Sequence, residues 1–499
     1  MSASLAKTVN ARLQAGALVV IVQEPDELLA LEQVRAAAEA VCQPVRFMSG
    51  CDPAALEYLE GHKEGEGTLV LSDFLAVNSD PMSARLVREV ALQNRTGDYS
   101  RLVLIEGPSL EIPPLLRSDV EIVKCELPTV EELLEELSAF EEANEVEVEG
   151  NGETRYALAS AVAGLARHEA AKLFARCWVE IQDLEPGWLR HEKARRISQR
   201  LGGALSFENE LSADVGGLDA LKSWLAARKA AFGSAKAKAF GLPEPKGLLL
   251  LGVPGCGKSL SAKTIAREWE LPLLRLDAGK LFGIHVGQSE QQTRAAVEAA
   301  EACAPCVLWI DEVEKGLGGA NGSSGDSGTT QRVFGTLLTW LQEKTSPVFV
   351  VATANRVASI PPELLRKGRF DEIFFVDLPD KGEREEIARI HLDRRGRTWT
   401  DWGQHGLIAK ETEGFSGAEI EQAVIDGLFE AFSKGAELSV QHVVEAAKRT
   451  TPLVKTMGEE IKALRSWAQG RTRLASSLVP SEGKPSAKVR RGPVIGGAK

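Results

Sequence analysis

Residues 247–269 constrain this chain more than any other stretch. An apolar run, "GLLLLG" (Gly247–Gly252), leads into "VPGCGKS" (Val253–Ser259) and then into a helical pattern, "LSAKTIAREW". Four successive leucines leave no polar face, so the run must be buried on both sides, as in a parallel sheet covered by helices. The spacing G-x-x-x-x-G-K-S between strand and helix forces a tight turn. Its N–H groups then point inward, where the helix N-terminus adds partial positive charge. Such a nest suits phosphate oxygens. Pro254, Gly255, Cys256 and Gly257 form the loop, and Lys258, Ser259 and Leu260 open the helix. Lys258 is expected to neutralise β- and γ-phosphate charge, and the Ser259 hydroxyl to ligate Mg2+. The expected cofactors are ATP and Mg2+.

A second motif supports this reading. "CVLWIDE" (Cys306–Glu312) is another buried run, and Asp311 and Glu312 emerge at its C-terminal end. Open α/β sheets bind ligands at that end of their strands. Asp311 is expected to hold Mg2+ through water, and Glu312 to polarise the attacking water as general base. "VVATAN" ends a third run and places Asn355 beside that water.

The chain also repeats itself. "EIPPLLRSD" (Glu111–Asp119) returns as "SIPPELLRKGRFD" (Ser359–Asp371), and only the later version carries Arg369. Up to about residue 128, the runs "ALVVIV", "GTLVLSDFL", "RLVLIEG" and "VEIVKCELP" alternate with amphipathic stretches. "KGLLLLG", "LPLLRLD", "CVLWIDE", "VFVVATAN" and "EIFFVDLP" do the same later. Alternation of this kind predicts parallel sheets with crossover helices. Each half then turns purely helical. We read an α/β chain of two similar units, each a nucleotide-type domain followed by a small helical lid.

Bulk properties narrow the function. A length of 499 residues exceeds one core. The formal charge of −12 argues against general nucleic-acid or anionic-membrane binding. No run of 18 apolar residues occurs, so no membrane span is expected. The opening "MSASLAKTVNARLQAGALVVIVQ" has a short apolar part followed by Glu24-Pro25-Asp26-Glu27, and reads as a buried strand rather than a signal sequence. Seven scattered cysteines fit a reducing compartment. Cys303-Ala-Pro-Cys306 has no second pair nearby and reads as two small buried residues.

By these motifs the chain resembles the AAA ATPase family over about residues 211–451. The resemblance implies further roles. Asp214 and Gly216 lie in "DVGGLDALKSWL", which resembles the segment whose backbone packs on adenine. His391 in "ARIHLDRRG" matches the adenine-side histidine. Gly417 and Ala418 in "EGFSGAEI" match the lid signature near base and ribose. Arg366 and Arg369 match two arginines that reach into the next subunit's site, which implies a homo-oligomeric ring, usually hexameric. The architecture implied is tandem AAA-type units, the first degenerate. Its boundaries are 1–200 (core 1–128, lid 129–200), an ATPase α/β domain at 211–380, a lid at 381–455, and a C-terminal helix with a basic disordered tail at 456–499.

The first copy lacks the chemistry. "QEPDELL" has no glycine or lysine where the phosphate loop belongs. Ser72 and Asp73 stand opposite Asp311 and Glu312, Gly107 opposite Asn355, and Arg167-His168 opposite Gly417-Ala418. Neither binding nor hydrolysis of ATP is expected there. A live second unit behind a dead first one resembles the AAA proteins of cyanobacteria and plastids called hypothetical chloroplast reading-frame proteins. His285 stands where threading motors of the family place a pore aromatic, with Phe282 three residues before it. The Gly/Ser-rich stretch after Glu312 reads as a second, mobile pore loop or as a flexible connection. Cys256 lies near Lys258 and a helix N-terminus, both of which lower a thiol's pKa; the favoured reading is a small residue that fits the loop, with redox inhibition as the alternative.

The function expected is a Mg2+-dependent ATPase that remodels an unknown protein partner. One alternative is an ATP-dependent scaffold or switch with slow hydrolysis, and a less favoured one is a DNA-acting ATPase. The expected location is cytoplasmic, or the plastid stroma in a plastid-bearing organism.

Overall fold

The computed structural model describes residues 3–477 apart from 25, 41–44, 62–67, 94–100, 108–109, 111, 126, 147, 149–150, 201–204, 209–213, 282–287, 316–326 and 398–404. His285, Phe282, most of the Gly/Ser-rich stretch and the basic tail lie outside the described residues. The chain divides into two compact units, Met1–Lys193 and Ala194–Lys499.

The first unit holds a five-stranded parallel sheet. Its strands are β1 (Val19–Gln23), β2 (Val45–Ser49), β3 (Thr68–Ser72), β4 (Arg101–Glu106) and β5 (Glu121–Lys124), in the order β2-β3-β4-β1-β5. Side chains alternate across a strand. Val19 and Ile21 therefore pack into the core on one face, and Val20 and Val22 into the core on the other. Both faces are apolar, which is why "VVIV" shows no polar alternation. Helices follow from Val130 onward. The first, Val130–Asn144, opens with a capping box between Thr129 and Glu132.

In the second unit the strands are β6 (Leu205–Glu208), β7 (Gly247–Gly252), β8 (Leu273–Leu276), β9 (Cys306–Ile310), β10 (Val348–Ala354), β11 (Glu372–Val376) and β12 (Arg473–Leu474). They run in the order β12-β11-β7-β10-β9-β8-β6. All neighbours are parallel except β6, which is antiparallel to β8. The inner order β11-β7-β10-β9-β8 repeats that of the first sheet, β5-β1-β4-β3-β2. At the end of β7, Gly252 has φ +147, and a Cβ there would lie 1.9 Å from the Val376 carbonyl oxygen. Only glycine lets β7 pass that close to β11 and turn away.

The lid of this unit begins at helix Lys381–Asp393, again with a capping box, from Asp380 to Glu383. Its core joins Ala388, Leu392, Phe415, Ile420, Val424 and Val443. The edge strands β6 and β12 were not read from the sequence. Each is short, and pairing to a neighbour rather than its own pattern makes it a strand. After β12 the chain is pinned: Ala475 N–H donates to Phe375 O (3.0 Å) and Leu221 N–H to Ala475 O (3.0 Å). Among the described residues, no helix is long and apolar enough to cross a membrane.

Candidate nucleotide site

β7 ends at Gly252, and the chain turns through five residues into helix Lys258–Trp269. Gly255 (φ +75) and Gly257 (φ +87) take left-handed conformations that an L side chain would strain. Lys258 is buried at the helix start. Its ammonium donates to the carbonyls of Gly252 (3.0 Å) and Val253 (2.6 Å). Burial pushes its pKa down to about 8, against the upward pull of Glu314, Asp311 and Glu312. A buried cation held by neutral carbonyls calls for an anion.

The ends of β9 and β10 face this loop. Asp311 follows β9, and its Oδ1 accepts from Ser259 Oγ (3.1 Å) and Thr353 Oγ1 (2.7 Å). Thr353 Oγ1 in turn accepts from the Glu312 N–H (2.9 Å). Glu312 sits at φ 47, a left-handed conformation for a residue with a side chain. Such a conformation costs about 1–3 kcal/mol and persists where surrounding bonds over-determine it. Those bonds are visible: Asn355 Nδ2 donates to Glu312 Oε1 (3.0 Å), and Lys315 pairs with Oε2. The backbone N–H of Asn355 donates to Glu314 Oε1 (2.7 Å). Thr353 and Glu314 were missed in the sequence reading. Their roles depend on which strand lies beside which.

The lid closes the other side. Ala418 N–H donates to Gly255 O (3.0 Å), which ties the start of helix Gly417–Ser433 to the loop. The Asp214–Gly217 segment is strapped to the lid's first helix, because Gly217 N–H donates to Glu386 Oε2 (2.7 Å). At Gly216 a Cβ would lie 2.8 Å from Ile387 Cγ1, so backbone and lid approach directly. His391 is buried with Nδ1 3.3 Å from Glu421 Oε1, outside hydrogen-bonding geometry. Burial pushes its pKa below the usual histidine range despite Glu421. A largely neutral imidazole follows, suited to hydrogen bonding rather than charge pairing. Asp214 is held below the usual carboxylate range by Arg267.

These groups line one cleft of about 480 Å³, a usual size for a small-molecule site. Asp214, Gly216, Pro254 to Leu260, Asp311, Glu312, Asn355, His391, Gly417 and Ala418 all line it, with Thr353, Ile387, Ile390 and Glu421 in addition. Arg366 and Arg369 do not. Arg366 is exposed, and Arg369 donates through Nη1 to the Glu363 carbonyl with its Nε buried and unpaired.

Desolvation weighs against the redox alternative for Cys256. Its side chain is half-buried beside the cleft, and desolvation pushes the thiol's pKa up to about 12, outweighing the pull of Lys258. The thiol is then held chiefly in its protonated form at neutral pH. Wild type and Cys256→Ser should lose ATPase activity equally in peroxide, and iodoacetamide should label exposed Cys51 well before Cys256. Faster loss in wild type would show that the thiol opens to solvent.

In the first unit, side chains of the chain itself occupy the loop after β1. Asp26 is buried before helix Glu27–Glu39, and its Oδ1 accepts from Leu29 N–H (3.2 Å). Its Oδ2 lies 2.8 Å from His168 Nδ1. The helix N-terminus thus already has its anion. Arg167 is engaged by Glu132 (3.0 Å) and Glu136 (3.1 Å). Asp73 shares the left-handed backbone of Glu312, with φ 53. Glu106 accepts from the N–H groups of Leu75 (2.7 Å) and Ala76 (3.3 Å), and burial pushes its pKa up to about 7.

The nested loop, the paired acids at strand ends and the helical lid define a P-loop nucleotide-binding fold of the AAA class. The profile described as "ATPase family associated with various cellular activities (AAA)" matches residues 248–378. The chain is 41% identical over 430 residues to the AAA domain-containing protein ycf46 of Guillardia theta, covering 85% of this chain and 83% of that protein. It is 40% identical over 428 residues to the ycf46 protein of Pyropia yezoensis, covering 85% and 86%. It is also 35% identical over 234 residues to a cell division cycle protein 48 homolog of Archaeoglobus fulgidus, covering 46% of this chain and 31% of that one. The chain belongs to the ycf46 family of AAA domain-containing proteins.

Proposed function

We propose that the second unit binds Mg·ATP and hydrolyses it, acting on a protein partner as a homo-oligomeric ring. The observation that carries this is the convergence of Lys258, Ser259, Asp311, Glu312 and Asn355 on one cleft from the ends of three adjacent strands. The residues fit the group they would hold. Among the described residues the buried ammonium bonds carbonyls and no carboxylate, left-handed glycines open the loop, and a hydroxyl and a carboxylate already meet at 3.1 Å. Ser259 and Asp311 would hold Mg2+, which when bound offsets phosphate charge. Lys258 and the loop N–H groups orient the phosphate oxygens. Glu312 accepts a proton from the attacking water, and Asn355 fixes the direction of its carboxylate. Arg366 and Arg369 serve a neighbouring chain's cleft, where a guanidinium stabilises charge on the transferring phosphoryl group.

A second reading, an ATP-driven switch with slow turnover, draws on one contact set. Lys315 and Asn355 each hold one oxygen of Glu312, and under this reading release of the Lys315 pair limits how fast the carboxylate meets the attacking water. For the first unit we propose a degenerate copy of the same fold. Support comes from the shared strand order, the matching capping boxes at Thr129 and Asp380, and the left-handed residue after β3 and again after β9.

Isothermal titration of the full chain with Mg·ATP, alongside phosphate release, tests both units. One nucleotide per chain is expected, and none for Lys258→Ala. Two nucleotides per chain would make the first unit a binding site; none in wild type would remove the function proposed.

A further inference from the structure

Arg275 takes no part in the chemistry above, yet it reaches the carboxylate expected to hold the metal. It lies on β8 in register with Trp309 of β9, and its guanidinium stacks on that indole, 4.7 Å from the ring centroid. Asp311, two residues beyond Trp309, points to the same side of the strand. There Arg275 Nη2 lies 3.5 Å from Asp311 Oδ2. The other carboxylate oxygen is taken by the hydroxyls of Ser259 and Thr353. Both oxygens of Asp311 are thus engaged, one of them by a resident cation.

A second carboxylate holds the same guanidinium from the opposite side. β6 pairs antiparallel to β8 with Ser206 opposite Arg275. Glu208, two residues on and facing the same way, places Oε1 3.9 Å from Arg275 Nη1. Its Oε2 is 3.3 Å from Lys263 on the phosphate-loop helix. Arg275 Nε is buried without a hydrogen-bond partner. Stacking and two competing carboxylates therefore position this side chain, not a bond that commits it to either.

We propose that Arg275 is a positioning residue that sets the Mg2+ affinity of the nucleotide site, acting as a counter-charge on Asp311 that Glu208 of the edge strand draws away. The proposal rests on the Mg·ATP reading of the cleft. A dication arriving at Asp311 meets a fixed monocation on the same carboxylate; the two repel and share one negative charge. Removing Arg275 leaves Asp311 wholly to the metal. Removing the Glu208 charge lets Arg275 bear on Asp311 alone, and also takes negative potential away from the site.

The test is retention of a fluorescent ATP analogue by the full-length protein as Mg2+ is titrated, which needs no turnover. Arg275→Gln should lower the Mg2+ midpoint by about three- to tenfold, the size expected for one partly screened charge. Glu208→Gln should raise the midpoint, and Arg275→Lys, which keeps the charge, should stay near wild type. Thermal midpoints close to wild type show that the variants fold. A merely structural arginine would not move the two midpoints in opposite directions. An unchanged or raised midpoint in Arg275→Gln, with wild type binding normally, overturns this proposal alone. Should Arg275→Gln fail to fold, an unchanged or lowered midpoint in Glu208→Gln overturns it equally. Failure of wild type to retain the analogue at any Mg2+ concentration overturns the site reading, and this inference with it.

Discussion

Glu312→Gln is expected to slow ATP turnover by about 10²–10⁴-fold, the usual share of a general base, while leaving ATP bound. The geometry separates the two effects. Glu312 touches no group of the phosphate loop; its partners are Asn355, Lys315 and, through its backbone, Thr353. A glutamine side chain has the same shape and can still accept the 3.0 Å bond from Asn355. It cannot take a proton from water. The backbone strain at φ 47 is common to both residues, so the fold should be unaffected. Single-turnover phosphate release, with bound nucleotide measured in parallel, reads rate and retention separately. A rate within fivefold of wild type would move the general base elsewhere. Full biological activity in this variant would instead favour the switch reading. If the remodelling reading holds, the same variant should trap its protein partner, and a pull-down with it is the direct route to that partner.

Removing both arginines, as Arg366→Ala with Arg369→Ala, should cost at least about 10³-fold in turnover with nucleotide binding kept, by analogy with arginine fingers generally. Arg366 is exposed, and neither side chain lines its own chain's cleft. Truncating exposed Arg366 leaves stability within about 0.5 kcal/mol; Arg369 gives up its bond to the Glu363 carbonyl, so thermal midpoints are read alongside. The distinguishing measurement is mixing. A chain without fingers has an intact cleft, and Lys258→Ala has intact fingers but no grip on phosphate. Combined, they should recover part of the activity, because the second variant completes the first one's site. Activity that stays lost on mixing, or a monomer at full rate without both arginines, would place the fingers' function within one chain or nowhere.

Much of the site could be read from local pattern, because its constraints are local. The turn from β7 into helix Lys258–Trp269 needs glycines at fixed offsets, and the acids after β9 follow directly from a strand end. Backbone geometry over a dozen residues writes itself into the order of residue types. Thr353 carries no such mark. It becomes the residue that holds Asp311 and Glu312 together only because β10 lies beside β9. Glu314 under Asn355 and Arg275 over Trp309 are of the same kind. The redox alternative for Cys256 turns on a related point. Proximity to Lys258 and a helix start was visible in the chain order, but desolvation, the larger effect, depends on what packs over the thiol.

The amino-acid order was enough for the α/β class, the glycine turn after β7 and the acidic strand end, and it lacks that turn pattern in the first half. Each follows from neighbours along the chain, where steric and periodic rules act directly. Folding in three dimensions settled the rest: the edge strands β6 and β12, the hydroxyl shared by Asp311 and Glu312, the desolvation around the Cys256 thiol, and the arginine between two carboxylates. Burial and charge pairing between segments far apart in the chain have no short-range signature, so their balance exists only once the strands stand side by side.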